Sequence, residues 1–225
     1  MHLCCMAAYF VDIHTHHKAT DDSFLSVINV DSIREITTDG YYSSGIHPWN
    51  SAIEHFDLKK HLDELEAMLK HDNVIAIGEC GMDKLHGGPY ELQRQLFEEQ
   101  VMLSEHYERP MIIHSVGHRQ DIIAVRKATK ARQPWIIHGF NGNEHEVQEC
   151  VRAGLFISIG SDIFHPQRRI YKTIKKLSID YCFFETDTST YTIRQVYERA
   201  ALLMDLDLEL LKSHIFANFA QYFRR

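Results

Sequence analysis

The segment YFVDIHTH, at residues 9–16, shows the pattern on which the rest of the chain is built. Its first half, Tyr9–Ile13, is apolar and rich in aromatic and β-branched residues, which is typical of a buried strand. Its second half is polar and carries His14 and His16. Further short apolar runs follow and complete a predicted set of eight strands: Tyr9–Ile13, Phe24–Val30, Tyr41–Ile46, Val74–Gly78, Met111–His114, Trp135–His138, Leu155–Ile159 and Tyr181–Phe184.

Helical periodicity between most of these strands indicates the fold class. Apolar residues recur there with a period near 3.6, for example at Leu92, Leu96 and Val101. Eight strands that alternate with helices predict an α/β protein, a (β/α)8 TIM barrel formed by a single domain over residues 1–225. Asp31–Gly40 is too short for a full helix, so we expect a compact or slightly distorted barrel with a short connection between strands 2 and 3. A seven-stranded barrel and an open doubly wound sheet are the alternatives.

The composition narrows the class of protein. The chain has 225 residues, is 44% hydrophobic and 24% charged, and contains 11 Gly and 5 Pro, which argues against a disordered, collagen-like or disulfide-framework protein. The formal net charge of −7 argues against a protein that coats nucleic acid with a basic surface. It still allows positive charge concentrated at a bound metal. The 16 histidines stand out because histidine is the commonest metal ligand.

Several features favour a cytoplasmic protein. No stretch approaches the roughly 18 apolar residues of a membrane helix, so we expect no membrane partner. The N-terminus lacks the basic start and apolar region of a signal peptide, and the initiator could be either Met1 or Met6. The five cysteines form no C-x-x-C pair and are odd in number, which favours reduced thiols.

Residues that commonly bind metals follow five of the predicted strands. They are His14 and His16, Glu79, His114, His138 and Asp187. In a barrel these strand ends meet on one rim, where the active sites of this fold lie. Residues i and i+2 of a strand point the same way, so the first two histidines can bind one cation together. Four imidazoles and two carboxylates suit Zn²⁺, Mn²⁺, Fe²⁺ or Co²⁺ better than Ca²⁺. Each residue alone has an ordinary explanation, such as a buried strand-end histidine or a helix cap, but their joint position predicts a metal site.

These strand ends resemble the motifs of the TatD-type metal-dependent hydrolases of the amidohydrolase superfamily. The matching segments come in the family's order and cover nearly the whole chain: Asp12–His16, Gly45–Trp49, Gly78–Asp83, Gln93–Phe97 with Gln100, Pro110–Ser115, Ile137–Phe140, Glu185–Asp187 and Asn218–Phe223. The resemblance implies a TIM barrel that binds two divalent cations (Zn, Mn, Mg, Fe or Co). The implied ligands form two sets with Glu79 as the bridge: His14, His16 and Asp187 for one ion, and His114 and His138 for the other. Family members are described as deoxyribonucleases or phosphoester hydrolases, and some act from the 3′ end of DNA.

Two positions depart from the family's motifs. Val116 stands where many relatives carry an arginine after the strand-five histidine. Thr188–Thr190 stands where a proline often follows the Glu-Thr-Asp motif. The missing arginine weakens the expectation of a DNA substrate, because that side chain suits a phosphate. Lys84 and Arg119 are candidate replacements, although both also fit an ordinary solvated surface charge.

The expected reaction is hydrolysis of a phosphoester, with DNA the most favoured substrate, by a water that two cations activate. Asp187 would accept a proton from that water as general base, and Glu79 would hold both ions. Two divalent cations bring more positive charge than these two carboxylates remove, which suits an anionic substrate. We expect the protein to act as a monomer.

Four residues are candidates for substrate contacts: His47, Trp49, Lys84 and Phe140. His47 and Trp49 follow strand 3 near the same rim, where they would touch a phosphate or stack on a base. In the plainer interpretation Trp49 packs the loop and His47 makes a hydrogen bond behind the site. Phe140 has the same two interpretations.

Other functions fit parts of the pattern. A PHP-type phosphatase would need further histidine and aspartate motifs, which are not found in order. An amidohydrolase acting on a C–N or lactone bond often bridges its metals with a lysine on strand 4, where this chain has Glu79 and no lysine. A barrel that keeps its metal only as a binding scaffold would not need the complete set of ligands.

Overall fold

The computed structural model of the protein describes residues 9–18 and 21–223. The predictions about Met1, Met6, Cys4 and Cys5 lie outside the described residues. Among the described helices, none combines the length and the hydropathy that a membrane span requires.

Eight parallel strands form one sheet in chain order, as the spacing of apolar runs predicts. They are β1 (Phe10–Thr15), β2 (Phe24–Asn29), β3 (Tyr41–Ser44), β4 (Val74–Asp83), β5 (Met111–Val116), β6 (Trp135–Ile137), β7 (Leu155–Ile159) and β8 (Cys182–Phe184). A parallel bridge between Thr15 and Asp187 joins the last strand end to the first. The predicted TIM barrel is therefore confirmed, and the sheet is nearly closed.

The seam between β1 and β8 is completed partly by a side chain. The hydroxyl of Tyr197 accepts from the Val11 backbone N–H at 3.2 Å and donates to the Val11 carbonyl at 3.0 Å. A buried backbone group without a partner costs free energy, so this hydroxyl replaces two bonds that β1 would otherwise lack. The closed seam places the residues after β8 beside those after β1.

Helices cover the outside of the barrel. They are α1 (Leu58–Leu69), α2 (Tyr90–Tyr107), α3 (Arg119–Thr129), α4 (Glu144–Arg152), α5 (Arg169–Thr173), α6 (Ile193–Met204) and α7 (Leu208–Tyr222). Each long helix buries one apolar stripe against the strands; in α2 it contains Leu96, Phe97 and Val101. Between β2 and β3 there is only a three-residue 3-10 turn, Ile33–Glu35, as the short connection predicts.

Seven of the eight strands differ from their predicted bounds, most by one or two residues, and two of these differences have a clear physical reason. β3 ends at Ser44 rather than Ile46, because the side chain of Gln100 accepts from the Ile46 N–H at 2.7 Å and donates to its carbonyl at 3.1 Å. β4 continues past Gly78 to Asp83, because residues 80–83 still pair with β5. Glu79, predicted directly after the end of strand 4, thus lies inside that strand.

Candidate metal centre

β1 places two histidines at the centre of the barrel rim. The alternation of the strand turns His14 and His16 to the same side, with ring centroids 5.3 Å apart. His14 is fully buried, and neither of its ring nitrogens has a hydrogen-bond partner among the described residues. Buried polar atoms are nearly always satisfied, so an unpartnered imidazole points to a missing ligand.

Glu79 lies between two groups of histidines, and each of its oxygens faces one group. Oε2 is 3.5 Å from Nε2 of His14 and 3.9 Å from Nε2 of His16. Oε1 is 2.8 Å from Nδ1 of His114 and 2.8 Å from Nε2 of His138. One carboxylate thus contacts all four predicted histidine ligands.

Asp187 completes the first group. Its backbone accepts from the His16 N–H at 3.2 Å and donates to the His14 carbonyl at 3.0 Å, which fixes it against β1. Its φ of 51° is left-handed, a conformation that Asp tolerates better than most residues. The side chain is held near the two imidazoles, with Oδ1 3.7 Å and 3.6 Å from their Nε2 atoms. Its carboxylate is 39% exposed and so is open to substrate.

Buried carboxylates lie behind the second group of histidines, and one of them is hydrogen-bonded to its histidine. Asp83 accepts from Nε2 of His114 at 2.9 Å. Glu185 lies 3.6 Å from Nδ1 of His138 and accepts from the Gly139 N–H at 2.6 Å. Partners of this kind hold a ligating imidazole in one orientation.

The same contacts shift the ionisation of the site. Burial alone would raise the pKa of Glu79, but attraction to His138 and hydrogen bonds from His114 and His138 outweigh it and hold the pKa well below its ordinary range. Burial lowers the pKa of His138, and the Glu79 and Glu185 carboxylates more than reverse that effect. Within β1, burial raises the pKa of Asp12 to about 8, although Thr186 donates two hydrogen bonds to it.

The donor atoms fit a metal. His14, His16 and Glu79 each offer an atom within 4.8 Å of the others, and so do His47, Glu79 and His114. Imidazole nitrogens with a shared carboxylate are the ligands that zinc and similar transition-metal cations favour. The site opens into a cleft of about 1020 Å³, so substrate can reach it.

Comparison with known proteins decides the family. A family model described as TatD related DNase matches residues 12–224, nearly the whole chain. The chain belongs to the TatD family. The predicted resemblance, and with it the class of metal-dependent hydrolases, is confirmed.

Individual members of the TatD family are distant relatives. YabD of Bacillus subtilis, described as an uncharacterized metal-dependent hydrolase, is 25% identical over 201 residues, which cover 82% of this chain and 77% of YabD. Deoxyribonuclease Tat-D of Schizosaccharomyces pombe is 24% identical over 161 residues, which cover 67% of this chain and 51% of that protein. The alignments thus span from about half to three quarters of these relatives. The crystal structure of YjjV, a TatD homologue from Escherichia coli K12, matches with a TM-score of 0.81 at 20% identity over 97% of this chain and 99% of YjjV, which shows a shared fold.

Two of the predicted substrate residues lie in the cleft of this TatD protein. Nδ1 of His47 accepts from the Trp49 backbone N–H at 3.2 Å, so a neutral ring carries its hydrogen on Nε2. That Nε2 lies 3.2 Å from Oε1 of Glu79. The indole N–H of Trp49 donates to Asp83 at 2.7 Å, and the side chain remains 49% exposed.

The remaining candidates lie elsewhere. Lys84 is exposed after β4 and does not line the cleft. Phe140 is buried and lines a separate cavity of about 280 Å³ that the main site shares only through His138. Arg119, weighed as a replacement for the missing arginine, pairs with Glu146 at 2.7 Å and Glu149 at 3.0 Å. It is therefore a paired residue rather than a solvated charge.

Sequence reasoning left three carboxylates without a role: Asp12, Asp83 and Glu185. All three are within the predicted motifs, and Asp12 is two residues before His14, on the same side of its strand. A buried carboxylate beside a metal-binding motif is the signal that would have identified them. Their partners are set by contacts between strands, which the motifs alone do not specify.

Proposed function

We propose that the protein hydrolyses phosphodiesters, DNA among them, with a water activated between two divalent cations. The observation that carries this proposal is the division of Glu79, whose two oxygens face separate histidine groups. One ion would be held by His14, His16 and Asp187. The other would be held by His114 and His138. The name of the S. pombe relative, a deoxyribonuclease, supports the DNA substrate.

When bound, the cations would be Zn, Mn, Mg, Fe or Co, and would lower the pKa of a water and offset charge on the attacked phosphate. The chain's own residues supply the rest of the chemistry. Asp187, exposed and next to two imidazoles, accepts the proton of the attacking water at its carboxylate. His47, with its hydrogen on Nε2, is placed to donate to a phosphate oxygen. Trp49 offers an exposed ring at the mouth of the cleft.

We also propose that the chain acts in the cytoplasm as a one-domain monomer. Strands from Phe10 to Phe184 belong to one sheet, which supports a single domain. Cys80, Cys150 and Cys182 are free and buried, which supports a reducing compartment.

The test is a screen with the metal-reconstituted protein against single-stranded DNA, double-stranded DNA, and small phosphomonoesters and diesters. Asp187→Asn, with both metals retained by elemental analysis, is expected to lower kcat on diesters by about 10²- to 10⁴-fold. Failure of the metal-loaded parent on every phosphoester would refute the proposal and favour a C–N or lactone substrate.

A further inference from the structure

The cleft beside the metal centre lies next to a connection of the barrel that lacks a full helix. A barrel of this kind normally places a helix after each strand. After β2 there is only the turn Ile33–Glu35, and α1 stands on the other side of the opening. The cleft of about 1020 Å³ lies between the turn and α1 and reaches Glu79 at its inner end.

The walls of this cleft are apolar and slightly acidic. Ile33, Ile46, Leu65 and Met68 line it, and Ile33 is 48% exposed. The charged residues away from the metal centre are Asp31 and Glu64.

No lysine or arginine is among the lining residues in the part of the chain that the structure describes. Lys60, an exposed residue of α1 that does not line the cleft, is 3.9 Å from Glu64. The described lining residues therefore include no lysine or arginine that could bind a second phosphate.

Among its described lining residues, the smaller cavity that also borders His138 has no unpaired cation either. Arg119 and Arg169 line it, but both bind Glu146, and Arg119 also binds Glu149. Proteins that bind polynucleotides contact several backbone phosphates with cationic side chains. Neither cavity next to the metal centre has an unpaired lysine or arginine among its described lining residues for that purpose.

Trp49 gives the cleft a flat apolar surface of fixed position. Its indole N–H is held by Asp83 at 2.7 Å, and its ring packs edge-on against His47 at 4.7 Å and His86 at 5.4 Å. An anchored, half-exposed aromatic ring suits a planar or apolar organic group.

We propose that the cleft binds the organic group of a small phosphoester whose negative charge is confined to the phosphate under attack. Among the phosphodiesters proposed above, the cleft therefore favours one of about nucleoside size, without neighbouring phosphates, over DNA. This inference rests on the proposed phosphoester hydrolysis and narrows its substrate.

The test compares two substrates that differ by one phosphate: thymidine 5′-(p-nitrophenyl phosphate) and the same compound with an added 3′-phosphate. We expect the added phosphate to lower kcat/KM about fivefold at low salt, because it faces acidic walls. The double variant Asp31→Lys/Glu64→Lys is expected to remove most of that difference. Glu198→Lys, an exposed exchange on α6 outside the cleft, is the matched control and should keep it.

Calorimetry tests ligand binding in the cleft separately from the proposed hydrolysis. The metal-loaded protein is titrated with thymidine 5′-phosphate and with thymidine 3′,5′-bisphosphate, which requires no turnover. The cleft assignment would be overturned if the bisphosphate bound more tightly than the monophosphate. It would also be overturned if the protein preferred the monophosphate and the Asp31→Lys/Glu64→Lys variant kept that preference. Loss of hydrolysis on both diesters with the binding preference intact would instead overturn the proposed reaction.

Discussion

The two sides of Glu79 use similar residues in different ways. On the Oε2 side, the His14 ring has no hydrogen-bond partner among the described residues, and the contacts of His14 and His16 with Glu79 and Asp187 are 3.5 to 3.9 Å long. On the Oε1 side, His114 and His138 are already hydrogen-bonded to the carboxylate at 2.8 Å. The donor atoms of the first side are spaced for a cation, whereas those of the second side lie at hydrogen-bond distance from one another.

The carboxylates behind the ligands differ as well. Asp83 accepts a hydrogen bond from His114, and Glu185 lies 3.6 Å from Nδ1 of His138, whereas the two carboxylates beside the His14 ring approach its Nε2. A carboxylate behind an imidazole favours its protonated form and also orients it for a metal. The comparison therefore predicts that the two metal positions fill with different dependence on pH.

Removal of the shared carboxylate should have the largest effect, because Glu79 contacts both groups of histidines. Glu79→Gln is expected to lower kcat on the order of 10³-fold or more and to reduce the bound metal at both positions. Activity and elemental analysis measure the two effects. Glu198→Gln is the control, and retention of two metal equivalents by Glu79→Gln would contradict the bridging role.

A substitution of a carboxylate behind the Oε1 group of histidines alone should have an intermediate effect. Asp83→Asn is expected to lower activity or metal affinity about 10- to 100-fold, because His114 loses the partner that orients it. Asp121→Asn is a matched control, since Asp121 also binds a histidine, His118, at 2.8 Å but lies outside the cleft. Equal effects of the two variants would show that Asp83 has no specific role at the site.

Metal uptake should depend on pH more strongly on the Oε1 side. The pKa of His138 is raised in the metal-free protein, so the ring holds a proton below that pKa and a cation must displace it. Affinity should therefore fall about tenfold per pH unit as the pH drops below the raised pKa. Titration calorimetry in two buffers of different ionisation enthalpy should show more protons released with one metal equivalent than with the other. Equal proton release would remove the distinction between the two sides.

The smallest effect is expected at Cys80, which is next to Glu79 in sequence but belongs to neither side. Its buried thiol donates to the Ile112 carbonyl, so Cys80→Ala should leave the metal content unchanged and cost about 1 kcal/mol in the free energy of unfolding. Burial raises the pKa of this thiol, and raises the pKa of Cys150 and Cys182 to about 12. All three should resist iodoacetamide at pH 8 in the native protein and react after unfolding, which peptide mapping would show. Loss of metal in Cys80→Ala would assign the thiol to the site.

Much of the fold and of the ligand set follows from the sequence because both depend on local periodicity. Short β-branched runs indicate strands, and polar residues directly after them are on the active rim of any barrel those strands form. The alternation of a strand also fixes which residues share a side, as with His14 and His16. The short link between β2 and β3 is likewise a matter of counting residues.

Only the tertiary structure decided the relations between residues that are far apart in the chain. Three of these relations depend on how neighbouring strands are staggered. Glu79 lies between two histidine groups, Asp83 binds both His114 and Trp49, and the side chain of Gln100 binds the backbone at the end of β3. The cleft and the lack of cations in its described lining depend on which side chains a missing helix leaves uncovered. Sequence patterns constrain nearest neighbours along the chain, whereas distances between strands are set by the closure of the whole barrel.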